Sequence, residues 1–198
     1  MAVRTIFTMG HPALYRTARR VADPTAADVA AVARDMQDTL DDNGAAAIAA
    51  PQVGDARRIV VYRLSPRVIS DRSAIFSGDW IVMVNPVLTP KTDDTVMAWE
   101  RCLSIPGLHG KVPRCPVIHV SYTSLDGTCV EHEVAGPIAA MLQHECDHLD
   151  GVLYPMRMTD LSLLEFDITP GRLAEDVDRG LDVWPVLEEL VEAWRENQ

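Results

Sequence analysis

The stretch Gln143-His144-Glu145-Cys146-Asp147-His148 has the residue types and spacing needed to bind a metal ion and move a proton beside it. On a helix, residues i and i+4 lie on one face about one turn apart, so His144 and His148 can reach a single cation. This is the geometry of His-Glu-x-x-His sites, in which the glutamate is offset around the helix. Glu145 is therefore free to handle a proton rather than bind the ion. Two histidines on a core helix would satisfy the same spacing without a metal, so other residues must decide. A catalytic site of zinc type needs three protein ligands and keeps a fourth position for water. Candidates for the third ligand are His11, His109, His119, His132, Cys102, Cys115 and several carboxylates. Cys102 has the best setting, within Glu100-Arg101-Cys102-Leu103-Ser104-Ile105-Pro106-Gly107, read as a polar-to-turn stretch between strands. Cys146, two positions from His144, faces elsewhere and reads as a packing residue.

The elements that must position these groups follow from periodicity and punctuation. Residues 137–142 are mostly apolar, so the motif helix is expected to be buried, with Asp150-Gly151 as its stop. Residues 1–23 read as a loop-rich opening with a basic cluster at Arg16, Arg19 and Arg20. A helix is expected from Asp23-Pro24-Thr25 to about Asp41, carried by Val29, Val32, Met36 and Leu40 and ended by Asn43-Gly44. The alanine-rich run 45–50 is either extended backbone pressed against a neighbour or a helix. Residues 59–62 and 81–84 read as strands, the second closed by Asn85-Pro86. Residues 116–122 and 128–134 flank Leu125-Asp126-Gly127 and read as a hairpin. Residues 154–178 are turn-rich and acidic. Val186, Leu187, Leu190, Val191 and Trp194 then form an apolar helical stripe. The expected fold is α+β, with short antiparallel strands around a central helix carrying the His-Glu-x-x-His motif. One domain is expected over residues 1–198, ending in an acidic helix at about 181–198.

Composition narrows the function classes. Of 198 residues, 47% are hydrophobic and 24% charged, ordinary for a soluble globular chain. No apolar run is long enough for a membrane span and the N-terminus lacks a signal-peptide pattern, so a cytoplasmic address is expected. Four cysteines in a chain of this size do not make a disulfide framework. The net charge of −11 is concentrated at the end: residues 160–198 carry 11 acidic and 3 basic groups. Direct nucleic-acid binding needs the opposite sign and is not expected.

Three segments, taken in order, resemble the motifs of the peptide deformylase family. Ala45-Ala46-Ala47-Ile48-Ala49-Ala50-Pro51-Gln52 is similar to Gly-φ-Gly-φ-Ala-Ala-x-Gln, where φ is apolar. Glu100-Arg101-Cys102-Leu103-Ser104 is similar to Glu-Gly-Cys-φ-Ser, and Gln143 to His148 matches Gln-His-Glu-x-x-His. Gly10-His11-Pro12-Ala13-Leu14, Asn85-Pro86 and Asp150-Gly151-Val152-Leu153-Tyr154 add to the likeness.

The resemblance implies a hydrolase that removes the N-formyl group from the N-terminal methionine of nascent polypeptides and releases formate. It implies that Cys102, His144 and His148 hold one divalent ion with water as the fourth ligand. The ion is Fe(II) in most of the family, with Zn(II) or Ni(II) as replacements. Glu145 would be the general base and then the general acid, while Gln52 and the Leu103 N–H would stabilise the oxyanion. The N-formylated peptide would run along Ala47 and Ile48. Its first side chain would enter a pocket formed by Pro137, Ala140 and Met141, opposite Ala98. Glu100 and Arg114 would brace the Cys102 loop as an ion pair.

The chain departs from the pattern at Ala45 and Ala47, which replace glycines, and at Arg101, which replaces the glycine before the metal cysteine. Arg101 would either grip a substrate carboxylate or pair with a nearby acid. His109 stands where family members often place an arginine that holds the peptide. These departures keep open the same chemistry on another N-formyl or N-acyl amide, or a metal-binding protein without that activity. Some bacterial relatives touch the ribosome through a basic C-terminal helix, but residues 181–198 hold five acidic groups and one arginine. That helix is expected to pack on the domain or on a second subunit of a homodimer, without ribosome contact.

Overall fold

The computed structural model describes residues 2–64 and 79–197. Its elements are α1 (Ala27–Asn43), β1 (Ala47–Ala49), β2 (Ile59–Tyr62), β3 (Ile81–Pro90), β4 (Val96–Cys102), β5 (Ile105–Arg114), β6 (Val117–Thr123) and β7 (Cys129–Ala135). They continue with α2 (Gly136–Leu149), β8 (Leu164–Phe166), α3 (Gly171–Asp178) and α4 (Pro185–Glu196). Short 3-10 turns occupy Pro12–Tyr15, Ala50–Val53, Tyr154–Met156 and Leu161–Leu163. The strands form two antiparallel sheets, ordered β1-β2-β3-β6-β7 and β4-β5-β8. The helix with the His-Glu-x-x-His motif, α2, packs against strands of both, in the α+β arrangement expected from the sequence.

Strand β2 explains the layering. All four of its residues are buried, because both faces of the strand are covered. Side chains alternate across a strand. Ile59 and Val61 join the cluster built on α1, with Val29, Ala33, Met36 and Leu40. Val60 and Tyr62 join the cluster built on α2, with Ala139, Leu142, Cys146 and Leu149. Cys146 thus packs as the spacing suggested. Helix α1 ends at Gly44, whose left-handed backbone closes it. Helix α2 ends at Asp150, and the following Gly151 (φ +75°) presses against the 3-10 turn of Pro12–Tyr15. A Cβ at Gly151 would lie 2.7 Å from the Tyr15 carbonyl carbon, so only glycine fits.

The alanine-rich run is a short strand followed by a 3-10 turn, the extended one of its two readings. Several other expectations are corrected. Asn85-Pro86 does not close β3. It makes a bulge, with Asn85 at φ +54° and the register shifting between Val84 and Val87 before the strand continues to Pro90. Asn85 is fixed there by both its amide atoms, accepting from Val21 N (2.8 Å) and donating to Val21 O (2.9 Å). Residues 100–107 are not a stretch between strands but the tip of a hairpin, β4 turning into β5 at Leu103-Ser104. The turn-rich region 154–178 also contains β8 and α3.

The apolar stripe of α4 packs on this same chain. Leu187 and Val191 are buried with Trp99 of β4 and Leu173 of α3, and Leu190 and Trp194 pack against that cluster. Asp176 of α3 ties the assembly to the hairpin, accepting from Trp99 Nε1 (2.9 Å) and pairing with Lys111 (2.5 Å). Burial alone would raise this carboxyl, but the Lys111 and Trp99 donors, with the nearby Arg179, hold it below the usual carboxylate range. A depressed folded value contributes stability above the unfolded value, and that contribution is lost as pH falls through the folded one. Docking of α3 and α4 should therefore loosen in acid. Asp176→Asn should loosen it at neutral pH and flatten its acid dependence, read as Trp99 fluorescence across a pH titration. An unchanged titration curve would contradict the tether.

Candidate metal centre and active site

Each ligand candidate is positioned by a different local device. Cys102 ends β4, where the chain reverses at Leu103-Ser104, so its thiol is carried on a tight hairpin rather than a loose loop. His144 and His148 lie one turn apart on α2 and are both buried. His148 Nε2 sits 3.2 Å from Cys102 Sγ. His144 Nδ1 lies 2.7 Å from Glu100 Oε2, which leaves Nε2 as the nitrogen for an ion. Burial alone would lower the ring's pKa, but Cys102 and Glu100 hold it well above its ordinary value, so an ion would displace the Nε2 proton. One donor atom from each of Cys102, His144 and His148 can be chosen so that all three lie within 4.8 Å of one another. Burial, then the neighbouring His144 and Arg114 charges, hold His148 well below its ordinary value, in the neutral form that binds metal.

The donor set fits a divalent transition metal. One thiolate and two imidazoles are borderline-soft ligands that suit several such ions. Among the described residues, no other group of three or more histidine, cysteine or carboxylate side chains converges in this way. The alternative ligands lie elsewhere. His11 is exposed and stacks on Phe7, His119 and His132 sit on the β6-β7 hairpin, and the Cys115 thiol faces the carbonyls of Thr92 and Val117.

Behind the ligands lies a buried ion network. Arg114 grips Glu100 through Nε (2.6 Å) and Nη2 (2.9 Å) and reaches Asp147 through Nη1 (2.6 Å). Asp147 is also held by Arg157 (2.8 Å). Burial alone would raise Glu100, but the His144 and Arg114 hydrogen bonds hold its carboxyl below the usual range. Glu100 therefore stays ionised and orients His144. Gln143 clamps α2 to the chain after β5, accepting from Cys115 N (3.0 Å) and donating to Cys115 O (2.9 Å). Removing a partner of a metal-binding histidine typically costs about 10–100-fold in metal affinity. Glu100→Ala should show that loss in a chelator competition; unchanged affinity would contradict the orienting role.

Two further groups neighbour the ligands, Glu145 next to His144 in the chain and Gln52 through a contact to the Cys102 sulfur. Glu145 is buried, and its Oε2 has no hydrogen-bond partner among the described residues. Burial pushes its carboxyl up to about 7; His144 pulls it down and Glu100 pushes it further up. Gln52, 2% exposed, is locked by three contacts. Its Oε1 accepts from Ala49 N (2.8 Å), and its Nε2 donates to Ser104 Oγ (3.1 Å) and lies 3.7 Å from Cys102 Sγ. Leu103 follows Cys102 directly at the hairpin turn.

This architecture coincides with that of a known family. The Polypeptide deformylase family pattern matches residues 3–163. The chain belongs to the peptide deformylase family. It is 39% identical over 178 residues to Peptide deformylase 1 of Nitrosomonas europaea, covering 88% of this chain and 99% of that one. It is 40% identical to Peptide deformylase 1 of Prochlorococcus marinus, over 84% of this chain and 86% of the relative. Among solved structures, a Met-Ala-Ser-bound class I type b peptide deformylase from Acinetobacter baumannii aligns with a TM-score of 0.69 and 30% identity. That alignment covers 79% of this chain and all of the other. The Thermotoga maritima peptide deformylase aligns with a TM-score of 0.71 and 28% identity, covering 81% of this chain and all of that one.

The family's substrate side is placed less uniformly. Ala47 and Ile48 lie on β1, an edge strand of the five-stranded sheet. Neither Ala45 nor Ala47 has a positive φ, so alanine replaces the family's glycine at both without backbone strain. Pro137, Ala140 and Ala98 line one cavity, but Met141 is buried in the main core cluster instead. Arg101 pairs with Asp167 (2.6 Å), the acid partner that its outward position allows. His109 does not fit a substrate contact. It is 0% exposed, and its ring nitrogens face Asp167 (3.0 Å) and Glu165 (3.3 Å) on the β8 side. The sequence reading missed Ser104, Gln143 and Asp147 as positioning residues. Their signals were membership of the matched motifs for Ser104 and Gln143, and an acid inside the His-Glu-x-x-His stretch for Asp147.

Proposed function

We propose that this chain is a metal-dependent peptide deformylase that hydrolyses the N-formyl group from N-terminal methionine of nascent polypeptides, releasing formate. The observation that carries this reading is the convergence of Cys102, His144 and His148, with the buried Glu145 adjacent to His144 in the chain and the Gln52 amide fixed against Ser104 and the Cys102 sulfur. Family membership supplies the reaction class. The Met-Ala-Ser peptide bound to the Acinetobacter enzyme is the product end of such a substrate.

Cys102, His144 and His148 would hold a divalent ion, Fe(II) in this reading, which would supply Lewis acidity and a water of lowered pKa. Glu145 Oε2 accepts a proton as the water oxygen bonds to the formyl carbon. Negative charge grows on the formyl oxygen. Gln52 Nε2 exchanges its long thiol contact for that oxygen while Ser104 Oγ keeps the amide in place. The Leu103 N–H adds a second donor, and one such donor is typically worth about 3 kcal/mol. Glu145 then passes its proton to the nitrogen as the C–N bond breaks, leaving formate and a free amine. The peptide extends along β1, whose edge position allows it to add as a further strand.

The substrate class is tested by comparing kcat/KM for formyl-Met-Ala, acetyl-Met-Ala and small formylated amines. The expected result is a strong preference for the formyl peptide. Equal or better turnover of non-peptide formyl amines would favour the same chemistry on another substrate.

A further inference from the structure

A cavity of 190 Å³ lies between β4 and the start of α2, and part of its enclosure comes from outside the matched family region. Ala98, Pro137 and Ala140 contribute one side; Leu181, Val183 and Trp184 contribute another. The family match ends at residue 163, so the second side belongs to the C-terminal segment that follows it. Ala140 lies one helical turn before His144, and Ala98 shares a strand face with Glu100, the residue that holds His144. The first side chain of a formyl peptide branches from the carbon next to the formyl nitrogen. It must be housed close to the metal, and the inner wall of this cavity adjoins the residues that hold the ion through Ala140 and Ala98.

The C-terminal wall is anchored. Val183 is buried with Trp99, Leu187 and Val191, and Trp184 packs against both that cluster and the main core. Asp182 also lines the cavity; its Oδ2 lies 4.0 Å from where a Cβ on Gly136 would stand, at the start of α2. The Arg114 guanidinium lines the same cavity, so its lining carries charges of both signs and the wall acts through its size.

We infer that residues 181–184 form the outer wall of the pocket for the substrate's first side chain and limit its size. This rests on the deformylase reading above. Small residues at 98 and 140 leave room on the inner side, so the tail sets how much of that room a side chain can use.

The test measures kcat/KM on formyl-Met-Ala and formyl-Phe-Ala for the metal-loaded full chain and its variants. Leu181→Ala and Val183→Ala should raise the Phe/Met ratio by about tenfold or more, the scale set by a methylene or two in an apolar pocket. Leu181 is 43% exposed, so its truncation leaves the core intact and keeps the test valid if Val183→Ala fails to fold. Ala140→Leu, on the opposite wall, serves as the reference. If Ala140→Leu shifts selectivity and all tail variants leave it unchanged, the tail's role is overturned while the deformylase reading stands. If Ala140→Leu also changes nothing, the cavity is not the side-chain pocket. A metal-loaded wild type inert towards every formyl peptide would overturn the deformylase reading and this inference together.

Discussion

Glu145→Gln should retain a full complement of metal and lose deformylase turnover by about 10²–10⁴-fold, the range for a positioned general acid–base. The substitution keeps the side chain's shape and removes only its ability to take a proton. Metal content should not change, because the donor atoms belong to Cys102, His144 and His148. Glu145 is suited to the task by its setting. It is 5% exposed, and its Oε2 is uncommitted among the described residues. Burial has already raised its proton affinity, and a bound cation would pull in the opposite direction, as the His144 charge does. The check pairs metal analysis with steady-state rates on formyl-Met-Ala. A variant with near-normal turnover would remove Glu145 from the mechanism, and one that lost its metal would make it a ligand.

Arg114→Met should cost about 3–5 kcal/mol of unfolding free energy, the usual result of removing one partner from a buried ion cluster. Arg114 is 4% exposed, and burial alone would lower its pKa. The Glu100 and Asp147 carboxylates outweigh that and keep it charged. Methionine fills similar volume but leaves Glu100 with His144 alone and Asp147 with the half-exposed Arg157. The penalty comes from those stranded charges, so adding Glu100→Gln and Asp147→Asn should recover part of it. Arg4→Met supplies the contrast. Its pair with Asp35 is largely solvent-exposed on the arginine side and should be worth less than about 1 kcal/mol. Urea unfolding of the three proteins decides. A loss at Arg114 no larger than at Arg4 would show that the network contributes no more than a surface pair.

What the sequence made legible follows physical lines. Elements governed by a single local rule were readable: β2 from four consecutive apolar residues, the β6-β7 hairpin from its Asp126-Gly127 turn, and α2 from an apolar run ended by Asp150-Gly151. The β4-β5 hairpin was not. Its first strand breaks the apolar alternation at Glu100, a charge buried in order to hold His144 and Arg114. Asn85-Pro86 reads as a strand end in any local rule, and only pairing with Val21, 64 residues away, turns it into a bulge. The histidine pair could be read from helical spacing alone, whereas Cys102 stood out from the other candidates through family likeness. Its polar-to-turn setting favoured it over Cys115, but spacing alone left the histidines open as alternatives. His109 was misread as a substrate contact because its partners, Glu165 in β8 and Asp167 just after it, come from a segment that the sequence left as turn-rich chain.

The central claim is that this chain uses one metal ion, held by Cys102, His144 and His148, to hydrolyse formyl peptides. The most direct measurement is formate release from formyl-Met-Ala by protein purified without oxygen and assayed for metal, before and after chelation. The account predicts close to one divalent ion per chain, with Fe(II) supporting the fastest turnover. It also predicts activity that disappears on chelation and returns on adding metal back. Undiminished formate release from metal-free protein, or a fully metal-loaded chain that leaves formyl-Met-Ala intact, would contradict it.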